Sequence, residues 1–497
     1  MLQLCLQFRH KLLTILILSL IPVLWLQNVL TIRALPVISE VEERLLIPVE
    51  TDAIPNWPEA PQISAQSAIL MDADSGTVLY EKNIHEQLYP ASTTKLLTCI
   101  IAVENCSLDE IVTFSHDAIF DTPRDSSHIA LDEGESITLE QCLNAVLIAS
   151  ANEAAFGLAE HVSGTTWEDF GDMMNERAKE LGCVDSHFVN PNGLPNEDHY
   201  SSAYDLAMIG RAFFANELLC KISSTEKLVL PATDTQPDNI IAYSKNQLFP
   251  GKTYAYEYLV GSKTGYTNAS GNILVSCAQK DGMKLIAVVM VEDSPTQFAD
   301  TVALFNYGFN NFDRVNIAET ETKYNIDNAG FFYSNNDIFG SSRPILSLNT
   351  RDCIIVPKTI FFSELESTIS YDTGNEKEAA LITYTYRGRF LGAVSVDFAS
   401  DEESYSFDSG TMHPDAGENN ENTASGPRVI FINVFKVILW ILGIAGICIV
   451  LIFIRAFFVN YHFDPGERNN RRSWLKNRRK KRRRRPRRPN RFRDFDY

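Results

Sequence analysis

The middle of the chain alternates between apolar and polar residues in four short runs, two near residue 70 and two near residue 280. The two runs of each pair are separated by a turn that contains Asp and Gly, and this pattern is typical of antiparallel β-hairpins. We therefore predict strands at Ser67–Met71, Thr77–Glu81, Ile273–Cys277 and Lys284–Val291, with turns at Asp74-Ser75-Gly76 and Asp281-Gly282.

Helical patterns lie between the two hairpins and after the second one. Apolar residues dominate Leu96–Val103 and Leu139–Ala149, and Thr138 with Gln141 forms a capping-box pattern at the start of the second helix. A further helix is predicted over Pro295–Tyr307. Strands at both ends with helices between them predict an α+β fold, in which one antiparallel sheet is covered by helices.

The region that follows is composed of shorter β-rich runs. They are clearest at Ala380–Tyr386 and Phe390–Phe398, on either side of the turn Arg387-Gly388-Arg389. We predict that residues 314–399 form a small β-sandwich-like domain, separate from the α+β domain of residues 62–313.

Both ends of the chain carry apolar segments typical of membrane targeting. Arg9 and Lys11 precede the apolar run Leu12–Leu26, which has the length of a signal-peptide core but is short for a spanning helix. No clean Ala-x-Ala site follows, so residues 1–34 are predicted to be either a signal peptide or an uncleaved signal anchor. Near the other end, Val437–Ile454 is uncharged and just long enough to cross a bilayer, which predicts a transmembrane helix within residues 429–455.

The remaining segments are linkers and a tail. Residues 35–61 are punctuated by proline and are predicted to be a linker, and residues 400–428 are acidic and polar, as in a flexible stalk. The tail at 456–497 is rich in Arg, which favours a cytoplasmic location by the positive-inside rule. We therefore predict a single-pass protein of the cell membrane with an extracytoplasmic body. A tail that binds nucleic acid or a partner stays open as a second interpretation.

Charge and cysteine usage narrow the function classes. The formal net charge is −19, although the segment from Arg455 onward holds 17 Lys/Arg against four Asp/Glu, so the rest of the chain is strongly acidic. Such a body repels polyanions, and we expect it to bind no nucleic acid. The nine cysteines include no Cys-x-x-Cys pair and are interpreted as mostly buried small hydrophobic residues. The histidines show no metal-ligand spacing, so no metal is expected.

The first motif with candidate chemistry is Ser92-Thr93-Thr94-Lys95, at the start of the helix predicted over Leu96–Val103. Side chains three residues apart share a helix face, so the Lys95 amine can meet the Ser92 hydroxyl. A serine becomes nucleophilic when a base takes its proton, and a lysine can be that base if burial and nearby positive charge lower its pKa. Ser-x-x-Lys also occurs by chance, so the motif taken alone is better explained by an N-cap serine and an exposed lysine.

Two further motifs follow in order. Ser150-Ala151-Asn152 ends the helix that begins near Thr138, and Lys263-Thr264-Gly265 enters a strand. Each motif alone could be a helix end or an edge-strand turn. All three together, in this order in an exported chain, resemble the motifs of the penicillin-binding and serine β-lactamase superfamily.

Longer stretches are more specifically similar to the serine D-alanyl-D-alanine carboxypeptidases, the low-molecular-mass penicillin-binding proteins. The similarity is strong over residues 62–313 and loose over the β-rich region. The matching stretches are Pro90–Lys95, Leu147–Ala154, Phe188–Pro195, Tyr204–Ala207, Gly261–Thr267 and Tyr307–Phe309.

This resemblance implies an acyl-enzyme mechanism without a cofactor. Ser92 would be the nucleophile, Lys95 its base, and Ser150 the relay that passes a proton to the departing D-alanine. Lys263 would also keep Lys95 uncharged by repulsion. The residues implied in substrate binding are Asn152 for a peptide carbonyl, Lys263 and Thr264 for the terminal carboxylate, Gly265 within the same motif, and the N–H groups of Ser92 and Tyr266 for the oxyanion. The implied partners are peptidoglycan stem peptides that end in D-Ala-D-Ala, with β-lactams as inhibitors.

The chain departs from the family pattern at two places. Gln297-Phe298-Ala299-Asp300 stands where relatives often carry Arg-Phe-x-Asp, so the terminal carboxylate could be bound more weakly or by other groups. Asn268-Ala269-Ser270-Gly271 varies the usual continuation of the third motif.

Several rival functions stay open. A class A β-lactamase would need a deacylating glutamate between the second and third motifs, and Glu197 lies in that interval but in unmatched surroundings. A DD-endopeptidase, a non-catalytic β-lactam sensor and an inactive scaffold are also compatible with the motifs, and the sequence does not separate a role in the vegetative wall from one in spore cortex. We interpret His187, His199 and Asp205 as structural, and Asn190–Gly193 as a turn that shapes the rim of the site.

Overall fold

The computed structural model describes residues 39–233, 235–321, 346–375 and 377–398. All of these residues belong to the compact unit Met1–Ser404. The predicted signal segment, stalk, transmembrane helix and basic tail lie outside the described residues. Among the helices that are described, none combines the length and the apolar character needed to cross a membrane.

The central feature is a five-stranded antiparallel sheet with the strand order β2-β1-β9-β8-β7. Its strands are β1 Ser67–Asp72, β2 Val78–Lys82, β7 Leu259–Thr267, β8 Gly271–Lys280 and β9 Met283–Glu292. Both predicted hairpins are confirmed as β1–β2 and β8–β9, and the second is longer at both ends than predicted. The third motif lies inside the edge strand β7, where Lys263 is opposite Val275 of β8.

Helices cover both faces of this sheet. The helices are α1 Glu40–Leu45, α2 Lys95–Asn105, α3 His116–Phe120, α4 Leu139–Asn144, α5 Asn152–Ser163, α6 Phe170–Glu180, α7 Ala203–Ala215, α8 Glu217–Ser223, α9 Thr296–Asn311 and α10 Ile317–Thr320. In β9, Ile286 and Val288 face the hydrophobic cluster that contains α2, α5 and α7, whereas Leu285 and Ala287 face the cluster that contains α9. Burial on both faces explains why this strand is a continuous apolar run.

The helix that leads to the second motif changes its pitch before it ends. The predicted capping box is present, since Gln141 N–H donates to Thr138 Oγ1 and Thr138 N–H donates to Gln141 Oε1. After α4 the chain continues as a π-helical turn, Ala145–Ala149, and Ser150 then adopts a left-handed conformation with φ 59° and ψ 32°. π-Helical turns of this kind are frequent at functional sites.

The predicted β-rich region forms two further sheets. One has the strand order β11-β15-β14-β13, and β10 pairs with β12 in the other. Their strands are β10 Phe312–Asn316, β11 Leu346–Leu348, β12 Cys353–Pro357, β13 Glu366–Ser370, β14 Glu378–Tyr386 and β15 Arg389–Phe398. Shorter pairs are formed by β3 Ile111–Thr113 with β4 Ser136–Thr138, and by β5 Lys227–Leu230 with β6 Ile240–Tyr243.

The hydrophobic core continues from the α9 side of the central sheet into the β-rich region. Phe305 of α9 and Phe312 of β10 belong to the same cluster as Ile354 of β12 and Leu391 of β15, and all four are buried. The boundary predicted at residues 313 and 314 falls inside β10. The two predicted domains therefore share one core.

Candidate active site

The first motif forms a tight turn that leads directly into a helix. Ser92 lies in the 3-10 turn Ala91–Thr94, and Lys95 is the first residue of α2. Ala91, before the serine, has a positive φ of 48°. The resulting geometry brings Lys95 Nζ to 3.0 Å from Ser92 Oγ.

The other two partners of the Lys95 amine are both hydrogen-bond acceptors. Nζ lies 2.7 Å from Asn152 Oδ1 and 2.7 Å from the backbone carbonyl oxygen of Asn192. An uncharged lysine amine has two N–H donors and one lone pair. Because the two acceptors take the two N–H groups, the lone pair is left directed at Ser92 Oγ, and Nζ can accept the serine proton.

The surroundings of Lys95 favour the uncharged amine. The side chain is fully buried. Burial lowers the pKa of Lys95 well below its usual value, and repulsion from Lys263 lowers it further, whereas the Glu153 carboxyl acts in the opposite direction. Both causes named from the sequence, burial and nearby positive charge, act on the pKa of Lys95, and burial is the larger.

The second and third motifs meet at Ser150 and Lys263. Lys263 Nζ donates to Ser150 Oγ at 2.9 Å and to the backbone carbonyl of Thr264 at 2.9 Å. Lys263 is buried, and burial lowers its pKa to about 7, with repulsion from Lys245 acting in the same direction. The left-handed conformation of Ser150 lets the chain reverse after the π-helical turn, so that its hydroxyl reaches this amine.

Strand β7 approaches the turn Ala91–Thr94 closely at Gly265. A Cβ built on Gly265 would lie 3.2 Å from Pro90 O and 3.3 Å from Ser92 N, which is tighter than ordinary van der Waals contact. Glycine at this position thus allows the strand that carries Thr264 and Tyr266 to lie beside Ser92. The Tyr266 side chain itself is 61% exposed, and its hydroxyl donates to Asn268 Oδ1.

Asn152 holds the site together from the start of α5. Its Oδ1 accepts from Lys95, while its Nδ2 donates to Ser126 Oγ at 2.9 Å. Its backbone N–H donates to Ser127 O at 2.9 Å. The Asn152 amide, to which the resemblance assigns a substrate carbonyl, therefore also binds Lys95 through its oxygen. Its Nδ2 is the group that would donate to a substrate carbonyl, in place of its present donation to Ser126.

The turn Asn190–Gly193 contributes a hydrogen-bond acceptor directly to Lys95, whereas the sequence predicts only that it shapes the rim of the site. Besides the Asn192 carbonyl on Lys95, the Pro191 carbonyl accepts from Thr98 Oγ1 at 2.6 Å. Gly193 has a φ of +83°, and a Cβ there would lie only 1.8 Å from Ala91 O. The similarity of Phe188–Pro195 to the carboxypeptidases indicates that this segment belongs to the site, but it does not indicate which backbone carbonyl faces Lys95.

His199 supports the turn Ala91–Thr94 through a contact with Thr94. It is buried, and burial lowers its pKa to about 3, so the imidazole is neutral. Its Nδ1 accepts from the N–H of Val189 at 3.1 Å, so Nε2 carries the proton and donates to Thr94 Oγ1 at 2.9 Å. This arrangement agrees with the structural role predicted for His199.

Residues of all three motifs line one cleft with a volume of about 940 Å³. Its walls include Ser92, Ser150, Asn152, Thr264, Gly265 and Tyr266. Gln297, at the position where relatives often carry arginine, also lines the cleft and is buried, and its Oε1 has no hydrogen-bond partner among the described residues. Glu197, the candidate for the deacylating glutamate of a class A β-lactamase, is exposed to solvent.

Comparisons with known proteins agree with this site. The family described as D-alanyl-D-alanine carboxypeptidase matches residues 54–294. The carboxypeptidase DacF of Bacillus subtilis is 34% identical over 50% of this chain, and the match spans 63% of that relative's length. DacB2 of Mycobacterium tuberculosis is 31% identical over 50% of this chain and 84% of its own, and DacD of Escherichia coli is 34% identical over 53% and 68%.

Solved structures extend the likeness beyond the sheet and its helices. Penicillin binding protein 5 from Haemophilus influenzae has a TM-score of 0.55 and 26% identity, and covers 69% of this chain and 98% of its own. Penicillin binding protein 6B from Escherichia coli has a TM-score of 0.51 and 27% identity, with 69% and 98% covered. The chain therefore belongs to the family of serine-type D-alanyl-D-alanine carboxypeptidases, the low-molecular-mass penicillin-binding proteins.

Proposed function

We propose that this protein removes the terminal D-alanine from peptidoglycan stem pentapeptides through an acyl-enzyme on Ser92. The observation that carries this proposal is the Lys95 amine, buried and 3.0 Å from Ser92 Oγ, with both of its other partners acceptors. Such an amine can accept a proton from Ser92, because its hydrogen-bond partners are neutral oxygens and not carboxylates that would hold it in the charged form.

In the acylation step, Ser92 Oγ attacks the carbonyl carbon between the two D-alanines while its proton passes to Lys95 Nζ. The negative charge that develops on the carbonyl oxygen is stabilised by the N–H groups of Ser92 and Tyr266. When the C–N bond breaks, the departing amine receives the proton that Lys95 took from Ser92, relayed through the Ser150 hydroxyl, and Lys95 is uncharged once more. The 2.9 Å contact of Ser150 with Lys263 supports this role by holding the Ser150 hydroxyl in place.

Water completes the cycle in the second step. Lys95, uncharged again, takes a proton from water as the water oxygen attacks the ester carbon on Ser92. The ester bond breaks, Ser92 regains a proton, and the shortened peptide leaves as a carboxylate. The charged form of Lys263 and the Thr264 hydroxyl at the cleft wall support binding of the substrate's terminal carboxylate.

The function is tested with purified stem peptides and with penicillin. The protein should convert a pentapeptide to a tetrapeptide with release of free D-alanine, and penicillin should form a long-lived adduct on Ser92 that mass spectrometry detects. Rapid turnover of penicillin without D-alanine release would identify a β-lactamase. Cleavage of cross-linked dimers without trimming of pentapeptides would identify an endopeptidase.

The same proposal includes anchoring in the cell membrane by the segment at 429–455, with the catalytic body outside. It is supported by the uncharged run Val437–Ile454 and by the Arg-rich residues that follow it. Removal of residues 429–497 should release the protein from the membrane fraction without loss of penicillin acylation. Retention of the shortened chain in that fraction would instead assign anchoring to residues 1–34.

A further inference from the structure

Three side chains of metal-ligand type converge on the helical side of the molecule, away from the cleft. Cys106 Sγ and one ligand atom each from Glu110 and His161 lie within 4.8 Å of one another. His161 Nε2 is 3.0 Å from Glu110 Oε2, and the His161 side chain is 22% exposed. Sequence spacing does not reveal this cluster, since His161 is distant in the chain from the other two residues.

The cluster lies where two helices end. Cys106 directly follows the last residue of α2 and donates its N–H to Ala102 O, and His161 is in the last turn of α5. The C-terminal end of a helix carries partial negative charge on its free carbonyl groups and favours a nearby cation. Two such ends at one place make the position suitable for a metal ion as well as for a histidine.

The carboxylate of the cluster is already oriented. The Ser107 N–H donates to Glu110 Oε1 at 2.6 Å, which leaves Oε2 directed at His161. A hydrogen-bonded, pre-oriented ligand is typical of protein metal sites.

We propose that Cys106, Glu110 and His161 bind a divalent ion of the zinc class. A thiolate, an imidazole and a carboxylate suit Zn²⁺, and the partial exposure of the cluster leaves a fourth position to water. Binding replaces the hydrogen bond between His161 and Glu110. His161 coordinates through Nε2 with its proton on Nδ1, and the Cys106 thiol proton is released to solvent as the metal–sulfur bond forms.

The site joins the two helices that start in the active site. α2 begins at Lys95 and α5 begins at Asn152, and the ion would clamp their opposite ends. An 11-residue helix is about 16 Å long, so the ion is far from the reacting atoms. The expected effect of Zn²⁺ is thus a higher melting temperature with little change in penicillin acylation.

The test uses the full chain in detergent and Zn²⁺ or Co²⁺ as the probe. We compare Cys106→Ser and His161→Ala with Cys353→Ser and His116→Ala. Cys353 is likewise a partly exposed free cysteine, and His116 makes a 2.9 Å contact with Glu133 that resembles the pair in the cluster. Affinity for Zn²⁺ is measured by chelator competition, and the cysteine ligand is detected by the thiolate charge-transfer band of the Co²⁺ form.

We expect one Zn²⁺ per chain, proton release on binding, and a loss of affinity of more than about tenfold in Cys106→Ser and His161→Ala, with both controls unchanged. Penicillin acylation in each variant reports that the chain is folded. Equal Zn²⁺ affinity in the wild type and in either cluster variant, or a Co²⁺ form without the thiolate band, would overturn the proposal. So would the same loss in the control variants.

Discussion

At the scale of single residues, the properties of Lys95 follow from its surroundings more than from its motif. Spacing predicts that a lysine can reach Ser92, and the resemblance to the carboxypeptidases implies its role. Neither shows that Asn152 Oδ1 and the Asn192 carbonyl occupy both N–H groups. Neither contact could be predicted, because each joins Lys95 to an element distant in the chain. The contact with Asn192 is made by a backbone carbonyl, which has no sequence signature.

Replacement of the base gives the first prediction. Lys95→Arg should reduce the rate of penicillin acylation by about 10²–10⁴-fold or more, because a guanidinium stays charged and cannot accept the serine proton. The measurement is adduct formation on Ser92 by mass spectrometry. Lys82→Arg is the matched control, since Lys82 is also a buried lysine, with its amine on the Ile63 carbonyl outside the cleft. Acylation at the wild-type rate in Lys95→Arg would assign the proton to another group.

The pH dependence gives the second prediction. Acylation requires uncharged Lys95, so kcat/KM should fall as the pH drops below the lowered pKa of this amine. Binding of the carboxylate requires charged Lys263, whose pKa is about 7, so kcat/KM should also fall as the pH rises above about 7. The same peptide ending in an amide should lack most of the alkaline decrease. An equal alkaline limb for both peptides would argue against Lys263 as the carboxylate-binding group.

At the scale of elements, periodicity predicted the hairpins, the capped helix and the closing helix, because these depend on local burial and capping. The change to a π-helical turn at Ala145–Ala149 was not predictable, since this apolar segment contains no Gly or Pro to mark an interruption of the helix. The close approach of Gly193 to the turn Ala91–Thr94 could not be predicted either, because it is a contact between two segments distant in the chain.

Gly193 gives the third prediction. Gly193→Ala should slow acylation by about 100-fold and lower stability, because the new methyl group would displace the Asn192 carbonyl from Lys95. Gly134→Ala is the matched control: its φ is +81°, but nothing lies within 4 Å of the built Cβ. It should lose roughly 1 kcal/mol of unfolding free energy from the backbone strain and keep its acylation rate. Equal acylation rates in the two variants would contradict the role given to this turn.

At the scale of the whole molecule, two separate domains are predicted from the sequence for residues 62–313 and 314–399. In the structure, the described residues of both regions share one continuous hydrophobic core. Composition and strand patterning mark where the β-rich region begins, but they do not reveal what its apolar residues pack against. Tyr386 donates its hydroxyl to the Pro55 carbonyl at 3.1 Å, and Arg389 forms an ion pair with Glu81 of β2. These contacts join the β-rich region to the N-terminal linker and the central sheet.

This shared core gives the fourth prediction. Scanning calorimetry should show one cooperative unfolding transition for the described regions. Leu391→Ala should lower the melting temperature of this transition, because it removes about 2–5 kcal/mol from the free energy of unfolding. Phe390→Ala is the control on the same strand, because Phe390 is 41% exposed whereas Leu391 is fully buried. Penicillin acylation should be lost at the same temperature as the β-rich region unfolds. Two separate transitions would contradict a common core.

Catalysis through Ser92 is tested by measuring the release of D-alanine from an acyl-D-Ala-D-Ala peptide by the wild type and by Ser92→Ala. We expect the wild type to release one D-alanine per peptide and Ser92→Ala to release none above background, with the same melting temperature for both proteins. Equal release by the two proteins would contradict this expectation, because the reaction would then not pass through Ser92.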